Sequence, residues 1–144
     1  MGVLDAVFGS TETTADSAAT EPATEQQYAI LLNAGPDRTP TAGNAMNYAL
    51  ELDDAGYEVG IYLDGKATRW PGEFAENPDR PFNYDWEQIC DRGLIVGACG
   101  YCANAFEAVQ ACDAAAITLL SDTGEHAPSV AELAEEGYEL VTIG

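Results

Sequence analysis

Basic residues are scarce in this chain of 144 residues. Lysine and arginine together number 5, Lys66 is the only lysine, and His126 is the only histidine. A protein that holds nucleic acid by charge needs clusters of lysine and arginine against the phosphate backbone. The sequence has no such cluster, so we do not expect nucleic acid to be a partner.

Long apolar segments are also missing. No run of about twenty apolar residues occurs, the length that a helix needs to span a bilayer. The start of the chain has no basic region and carries Asp5, so it does not resemble a secretory signal. We therefore expect a soluble protein of a reducing cytoplasm. The four cysteines are then expected to be free, redox-active or metal-bound rather than joined in structural disulfides.

Acidic residues dominate the charged set. Aspartate and glutamate number 25, and the formal net charge is −20. Self-repulsion of this size destabilises a compact state in ordinary buffer and becomes tolerable in molar salt, where the screening length falls to about 3 Å. Because 47% of the residues are hydrophobic, the charge indicates a folded protein adapted to a salty cytoplasm and not a disordered polyanion.

The composition divides the chain into an acidic leader and one domain. Residues 9–27 are mostly Thr, Ala, Ser and Glu, without a bulky apolar side chain. We predict that residues 1–27 form a disordered leader. Residues 28–144 are predicted to form a single α/β domain.

Apolar runs alternate with amphipathic stretches from Tyr28 onward. We predict five strands, at 28–33, 57–63, 94–98, 115–120 and 138–143. The predicted helices between them are one with N-cap Thr39 that ends at Gly56, one from Asp85 to Gly93, one over 102–112, and one with N-cap Ser129 that ends at Gly137. This alternation indicates a five-stranded, mostly parallel sheet with helices on both faces.

Ligands of such folds bind beyond the carboxyl ends of the strands. The loops after Asn33, Leu63, Ala98 and Leu120 are therefore expected to meet at one edge of the sheet. Residues 64–83 are predicted to be a long loop. A loop of this length in a compact domain is usually functional or part of an interface.

The dithiol Cys99-Gly100-Tyr101-Cys102 lies at this edge. Cys99 ends the third predicted strand, and Cys102 starts the next helix, where unpaired N–H groups and the helix dipole favour a thiolate. Gly100 lets the backbone turn closely, and Tyr101 is a candidate to cover the pair. Such a pair closes into a disulfide or passes sulfur between its members by thiol exchange. We identify Cys99 and Cys102 as the candidate catalytic residues.

Packing is the alternative explanation for each cysteine. Cys102 also continues an apolar helical stripe with Phe106 and Val109. Cys90 and Cys112 fit apolar stripes of their own helices. Because a buried cysteine behaves as a small hydrophobe, we predict that these two are structural.

No resident cofactor is predicted. A closed zinc site usually takes four ligands, and only one CxxC pair is present even if His126 joins it, so zinc is not expected. His126 is otherwise a supporting proton donor or acceptor, or simply a loop residue before Pro128. The loop before Thr39 lacks the lysine of a phosphate-binding loop, which leaves a nucleotide site weakly supported. Arg38 in that loop is a supporting candidate that would favour a thiolate or a bound sulfur anion.

The stretch LIVGACGYCANA at 94–105, with the first strand and the helix that contains Met46, resembles the DsrE/DsrF-like family over residues 28–144. The resemblance implies a parallel α/β sandwich with flavodoxin-like layering and assembly into oligomers, here a homo-oligomer. It also implies an intracellular sulfur carrier or sulfurtransferase of the TusD type, which accepts a persulfide on a cysteine at the end of this strand. By position Cys99 is the matching cysteine, and Cys102 is a slightly displaced candidate. The implied partners are sulfur donor and acceptor proteins, with persulfide sulfur as transient cargo.

Two departures from the best-known carriers leave other functions open, namely the second cysteine of the CxxC and the long loop with Trp70. A thioredoxin-like dithiol oxidoreductase is one alternative, with Pro128 as the candidate for the cis-proline that usually lies opposite such thiols. A non-catalytic regulatory or binding module, with or without a bound metal, is the other.

Overall fold

The structure is a computed structural model that describes residues 26–144. Its strands are β1 (Gln27–Leu32), β2 (Glu58–Leu63), β3 (Ile95–Ala98) and β4 (Tyr138–Ile143). Its helices are α1 (Thr39–Asp54), α2 (Trp70–Glu76), α3 (Asn83–Asp91), α4 (Gly100–Ala105), α5 (Val109–Ala114) and α6 (Val130–Glu135), with short 3-10 helices at Pro36–Arg38 and Gly65–Arg69. Strand β1 begins one residue before the predicted Tyr28, and the rest of the predicted leader, residues 1–25, lies outside the described residues.

The four strands form one parallel sheet in the order β3-β2-β1-β4. Leu32 is in register with Leu63 and with Ile143, and Leu63 is in register with Ala98. All four strands therefore end at the same edge. The α/β class and the parallel sheet predicted from the sequence are confirmed; ligand binding at the shared edge stays a prediction. Within residues 26–144, no helix combines the length and the apolar content that crossing a bilayer requires.

The fifth predicted strand, at 115–120, is wrong as a strand. Only an isolated bridge between Ala98 and Leu119 forms, flanked by backbone hydrogen bonds from Ala98 to Thr118 and from Leu120 to Ala98, each 2.8 Å. Ala116 adopts a left-handed conformation with φ of 60°, which is incompatible with an extended strand at that point. The segment therefore reaches the sheet only beside the last residue of β3.

Helices lie against both faces of the sheet, as predicted. Ile30 and Leu32 of β1 belong to the larger core cluster, to which helices α1 to α5 contribute buried side chains. Ala29 and Leu31, which alternate with these two residues along the strand, point to the opposite face and pack in a smaller cluster with Leu133 of α6. The helices are thus divided unequally between the two faces.

The segment 64–83, predicted to be a loop, contains a 3-10 helix and α2. Trp70 is fully buried, and its indole Nε1 donates a hydrogen bond to the carbonyl oxygen of Ala34 at 2.8 Å. Arg80 lies over the Trp70 ring at 5.2 Å and donates to Glu73 at 2.8 Å and to the carbonyl of Pro36 at 2.6 Å. These contacts hold the segment on the main core.

Two predicted helix boundaries also differ. The predicted helix over 102–112 is split into α4 and α5, because Glu107 adopts a left-handed conformation with φ of 58°. Thr39 is the first residue of α1 rather than its N-cap, and its hydroxyl donates to the carbonyl of Pro36 at 3.0 Å. Ser129 does cap α6, since its Oγ accepts from the backbone N–H of Glu132 at 3.3 Å.

Candidate functional site: a Cys-Cys-Asp-His cluster

Cys99 lies at the junction between β3 and α4 and is fully buried. Its backbone N–H donates to the carbonyl of Leu63 at 2.9 Å, which continues the pairing of β2 with β3 past Ala98. Its Sγ accepts two backbone N–H groups, those of Cys102 and Ala127, each at 3.4 Å. The predicted strand-end thiol is therefore enclosed, and backbone N–H groups from two different segments meet at its sulfur.

Gly100 makes this enclosure possible. Its N–H donates to the hydroxyl of Ser121 at 3.0 Å, and a Cβ at Gly100 would collide with the carbonyl oxygens of Ser121 and Asp122. The next N–H, that of Tyr101, donates to the carbonyl of Glu125 at 3.2 Å. Residues 121–127 are thereby folded against the start of α4, which brings His126 and Ala127 to the thiols.

Cys102 is the third residue of α4 and is partly exposed. Its Sγ donates a hydrogen bond to Oδ1 of Asp64 at 3.2 Å. Partial burial, and then the hydrogen bond to Asp64, raise the pKa of the Cys102 thiol to about 12. The sequence placed the thiolate-favouring helix start at Cys102, and this is corrected: Cys99 is the N-cap residue, and Cys102 is held as a thiol by a carboxylate.

Asp64 is the functional candidate that the sequence analysis missed. It follows β2 directly and caps the 3-10 helix Gly65–Arg69, with Oδ1 accepting the N–H of Gly65 at 2.9 Å. The same oxygen accepts from Cys102, so one carboxylate is fixed on the backbone and aimed at the dithiol. Its position, first after a strand at the ligand edge, is the sequence signal that could have identified it.

His126 joins the cluster from the loop before α6. Its Nε2 lies 3.2 Å from Oδ1 of Asp64, and its side chain is 57% exposed. The Cys102 thiol and the exposed His126 ring therefore both contact the same oxygen of Asp64, the thiol by a hydrogen bond and the ring within ion-pair distance.

Two supporting candidates lie outside the cluster. Arg38 is exposed and makes no ion pair with any residue in the range 26–144, so its action on a thiolate stays a prediction. Beside it, Asp37 pairs instead with Lys66 at 3.3 Å, which lowers the pKa of the Asp37 carboxyl. The ring of Tyr101 is 53% exposed, and its covering role also stays a prediction.

The remaining cysteines differ from each other. Cys112 is fully buried in the main core, as expected for a structural residue. Cys90 is exposed, contrary to the expectation of burial, because it lies on the side of α3 away from the buried Trp86 and Ile89. Partial enclosure of its thiol, and then the nearby charges of Asp91 and Glu87, raise the pKa of Cys90 to about 11.

The four groups at the edge are close enough for several kinds of chemistry. One ligand atom from each of Asp64, Cys99, Cys102 and His126 lies within 4.8 Å of all the others. Both cysteines are free thiols. The peptide bond between Ala127 and Pro128, which follows the N–H donor to Cys99, is cis. The cluster can exchange sulfur between two thiols, close a disulfide, transfer protons through Asp64 and His126, or hold a thiophilic metal ion.

Comparison with family models identifies a match for this chain. No curated protein and no solved structure shows a significant match to the chain. The model of the DsrE/DsrF-like family matches residues 26–143, which covers nearly all of the described chain, including the cluster. This match agrees with the resemblance found in the sequence and is consistent with a sulfur-relay role. The chain therefore belongs to the DsrE/DsrF-like family.

Proposed function

We propose that the protein is a sulfur carrier that holds a persulfide on Cys99 and exchanges it with partners through Cys102. The observation that carries the proposal is the arrangement of the two thiols. The buried Cys99 sulfur accepts two backbone N–H groups, and the sulfur of the partly exposed Cys102 lies within 4.8 Å of it. Family membership supports the same role.

The burial of Cys99 suggests the order of the steps. The Cys102 thiol gives its proton to Asp64, and its sulfur attacks the outer sulfur of a donor persulfide R–S–SH. The donor leaves as R–S⁻, and Cys102–S–SH is formed. The Cys99 thiol then gives up its proton and its sulfur attacks that outer sulfur, which gives Cys99–S–SH; the leaving Cys102 thiolate takes up a proton, so the proton passes in effect from Cys99 to Cys102. No net oxidation occurs in either step.

Asp64 and His126 would serve as the proton path for these exchanges. The Cys102 proton already points to Asp64, which in turn contacts the exposed ring of His126. An imidazole can accept a proton on one ring nitrogen and donate one from the other, so the exposed ring can connect Asp64 to solvent. Their role is to move protons at the Cys102 sulfur, while the sulfur cargo remains on the thiols.

The proposal includes the setting in which the relay works. Free thiols at both positions fit a reducing cytoplasm, where sulfur donor and acceptor proteins would meet the partly exposed Cys102. Assembly into a homo-oligomer is part of the same proposal, drawn from the family.

Sulfur loading is tested by intact-mass spectrometry of the reduced protein in molar salt with a chelator, after incubation with polysulfide and removal of excess reagent. We expect one retained sulfur atom per chain, mapped to Cys99. The Cys99→Ser variant can form only the partly exposed Cys102 persulfide, which we expect to be lost when excess reagent is removed, and Cys102→Ser should load more slowly. Cys90→Ser is the matched control, because Cys90 is an exposed cysteine outside the cluster, and it should load like the unaltered protein. Full and stable loading of Cys99→Ser would remove Cys99 from the proposed role.

A dithiol oxidoreductase is the second candidate, favoured by the N–H of Ala127 that contacts Cys99 opposite the CxxC. In this case Cys99 attacks the inner sulfur of Cys102–S–SH, which forms a Cys99–Cys102 disulfide and releases HS⁻. The same mass measurement separates the two functions. Loss of two hydrogen atoms without retained sulfur supports the oxidoreductase and contradicts the carrier.

A further inference from the structure

The cluster at the sheet edge has the composition of a metal site as well as of a thiol relay. Its four candidate ligands come from three places in the chain: Asp64 after β2, Cys99 and Cys102 at the start of α4, and His126 from the loop before α6. Zinc was not expected from the sequence, because the dithiol and His126 supply only three candidate ligands. The structure brings Asp64 in as the fourth.

The distances suit a tetrahedral ion. Zinc binds sulfur at about 2.3 Å and nitrogen or oxygen at about 2.0 Å, so neighbouring ligands of a tetrahedral zinc lie about 3.3–3.8 Å apart. Asp64 Oδ1 lies 3.2 Å from both Cys102 Sγ and His126 Nε2. No pair of ligand atoms exceeds 4.8 Å, so small side-chain movements close the set around one ion.

The surroundings orient the ligands and leave their charge without a basic partner. The N–H of Gly65 fixes the Asp64 carboxylate, and the N–H groups of Cys102 and Ala127 point at Cys99 Sγ. Such second contacts hold metal ligands in place. Among residues 26–144, His126 is the only basic side chain within ion-pair distance of Asp64. Two thiolates and a carboxylate would thus carry three negative charges, of which a divalent cation offsets two.

We propose that Asp64, Cys99, Cys102 and His126 bind one Zn²⁺ per chain. Two thiolates and an imidazole select a thiophilic ion over Mg²⁺ or Ca²⁺, which prefer oxygen ligands. Binding replaces the two thiol protons, which pass to solvent, and no electrons are transferred. His126, 57% exposed, and the partly exposed Cys102 lie on the solvent side of the site, and the buried Cys99 lies behind them.

Metal binding goes beyond the proposed sulfur relay and is independent of it. A thiolate that is bound to zinc cannot at the same time carry a persulfide, so the zinc-bound and sulfur-bearing forms exclude each other. A chain that binds zinc but never retains sulfur would support the metal site and contradict the sulfur relay. A chain that retains sulfur but binds no metal would support the relay and contradict the metal site.

Cobalt serves as the spectroscopic probe for zinc in the test. The full chain, reduced and oxygen-free in molar potassium chloride, is titrated with Co²⁺. We expect one Co²⁺ per chain, with thiolate-to-cobalt charge-transfer absorption, intense tetrahedral d–d bands, and loss of both on addition of Zn²⁺. Cys99→Ser and Cys102→Ser should each weaken the charge-transfer absorption, and His126→Ala should lower the affinity by more than about tenfold.

Cys90→Ser is again the matched control and should give the spectrum of the unaltered protein. The proposal is overturned if the folded protein, checked by circular dichroism in the same salt, shows no charge-transfer absorption. It is equally overturned if the absorption persists unchanged in Cys102→Ser, or if it disappears in Cys90→Ser while the cluster cysteines remain dispensable.

Discussion

At the scale of single residues, the two thiols of the CxxC differ in depth and in their hydrogen-bond partners. Cys99 is fully buried and receives backbone N–H groups, whereas Cys102 is partly exposed and donates to a carboxylate. With its pKa raised to about 12, Cys102 rests as a thiol at neutral pH and needs a base before it can act as a nucleophile. Substitutions of the two cysteines are therefore not equivalent.

Gly100 is the position at which one methyl group should disturb the whole cluster. Its Cβ would meet the carbonyl oxygens of Ser121 and Asp122, which are backbone atoms and cannot rotate away. We expect Gly100→Ala to destabilise the fold by about 1–3 kcal/mol, as overpacking does. The variant should also load less sulfur, because residues 121–127 are pushed away from the thiols. Denaturant unfolding in molar salt and the mass assay measure the two effects.

Gly124 provides the control for that substitution. It lies within residues 121–127, the segment that Gly100 contacts, and nothing is within 4 Å of the position that a Cβ would occupy at Gly124. Gly124→Ala should change the free energy of unfolding by less than about 0.5 kcal/mol and leave loading intact. Equal effects of the two substitutions would show that close approach at Gly100 is not what assembles the site.

The sequence predicted most of the cluster but not its central carboxylate. Parallel strands share a carboxyl edge, so the convergence of Cys99, Cys102 and the loop of His126 follows from topology alone. Asp64 was missed because acidic residues number 25 and no single one stands out by composition. The depth of Cys99 could not be predicted either, since it depends on the fold of residues 121–127 over α4.

At the scale of elements, a row of stacked aromatic rings joins α2 to α3. The centroids of Trp70 and Phe74 lie 4.9 Å apart with the planes at 21°, and those of Phe74 and Trp86 lie 5.2 Å apart at 26°. Trp70 also hydrogen-bonds to Ala34 at the end of β1. The segment 64–83 therefore contributes Trp70 and Phe74 to the core.

Trp70→Ala should be strongly destabilising. The change removes the largest fully buried side chain, its stacking contact and its hydrogen bond to Ala34. We expect a loss of about 3–5 kcal/mol, measured by denaturant unfolding in molar salt. Tyr84→Ala in α3 is the comparison, because Tyr84 is 71% exposed and should cost less than about 0.5 kcal/mol. A Trp70 effect as small as that of Tyr84 would contradict the assignment of this segment to the core.

Strands and helices with a clear apolar run or a capping residue were predicted correctly. Elements whose limits depend on the backbone conformation of one or two residues were not. Four apolar runs became strands, and the helix capped by Ser129 forms as expected. The run at 115–120 has the composition of a strand. Because Ala116 adopts a left-handed conformation, the run pairs with the sheet only at the bridge between Ala98 and Leu119. Helix α2 was hidden by Pro71 and Gly72, which read as loop residues although proline suits the first turn of a helix.

At the scale of the whole molecule, the net charge of −20 should make stability depend on salt. Lys66, Arg80 and Arg92 each pair with a nearby carboxylate, Arg92 with Asp53 at 2.9 Å and Asp54 at 2.8 Å, and most carboxylates are left to repel one another. We expect the melting temperature to rise from dilute buffer to molar potassium chloride, by about 3–6 °C for each kcal/mol of repulsion screened. A scan in sucrose of equal osmolality is the control, because sucrose does not screen charge. Equal melting temperatures in dilute and molar salt would contradict halophilic adaptation.

The ion pair between Lys66 and Asp37 has a practical consequence for following this site in solution. Lys66 is the only lysine, its side chain is 53% exposed, and it lies two positions after Asp64. An amine-reactive fluorophore therefore has a single side-chain target, two residues along the chain from the Asp64 carboxylate, besides the α-amine of the chain. A dye attached to Lys66 would follow events at the carboxyl edge of the sheet without an engineered labelling site.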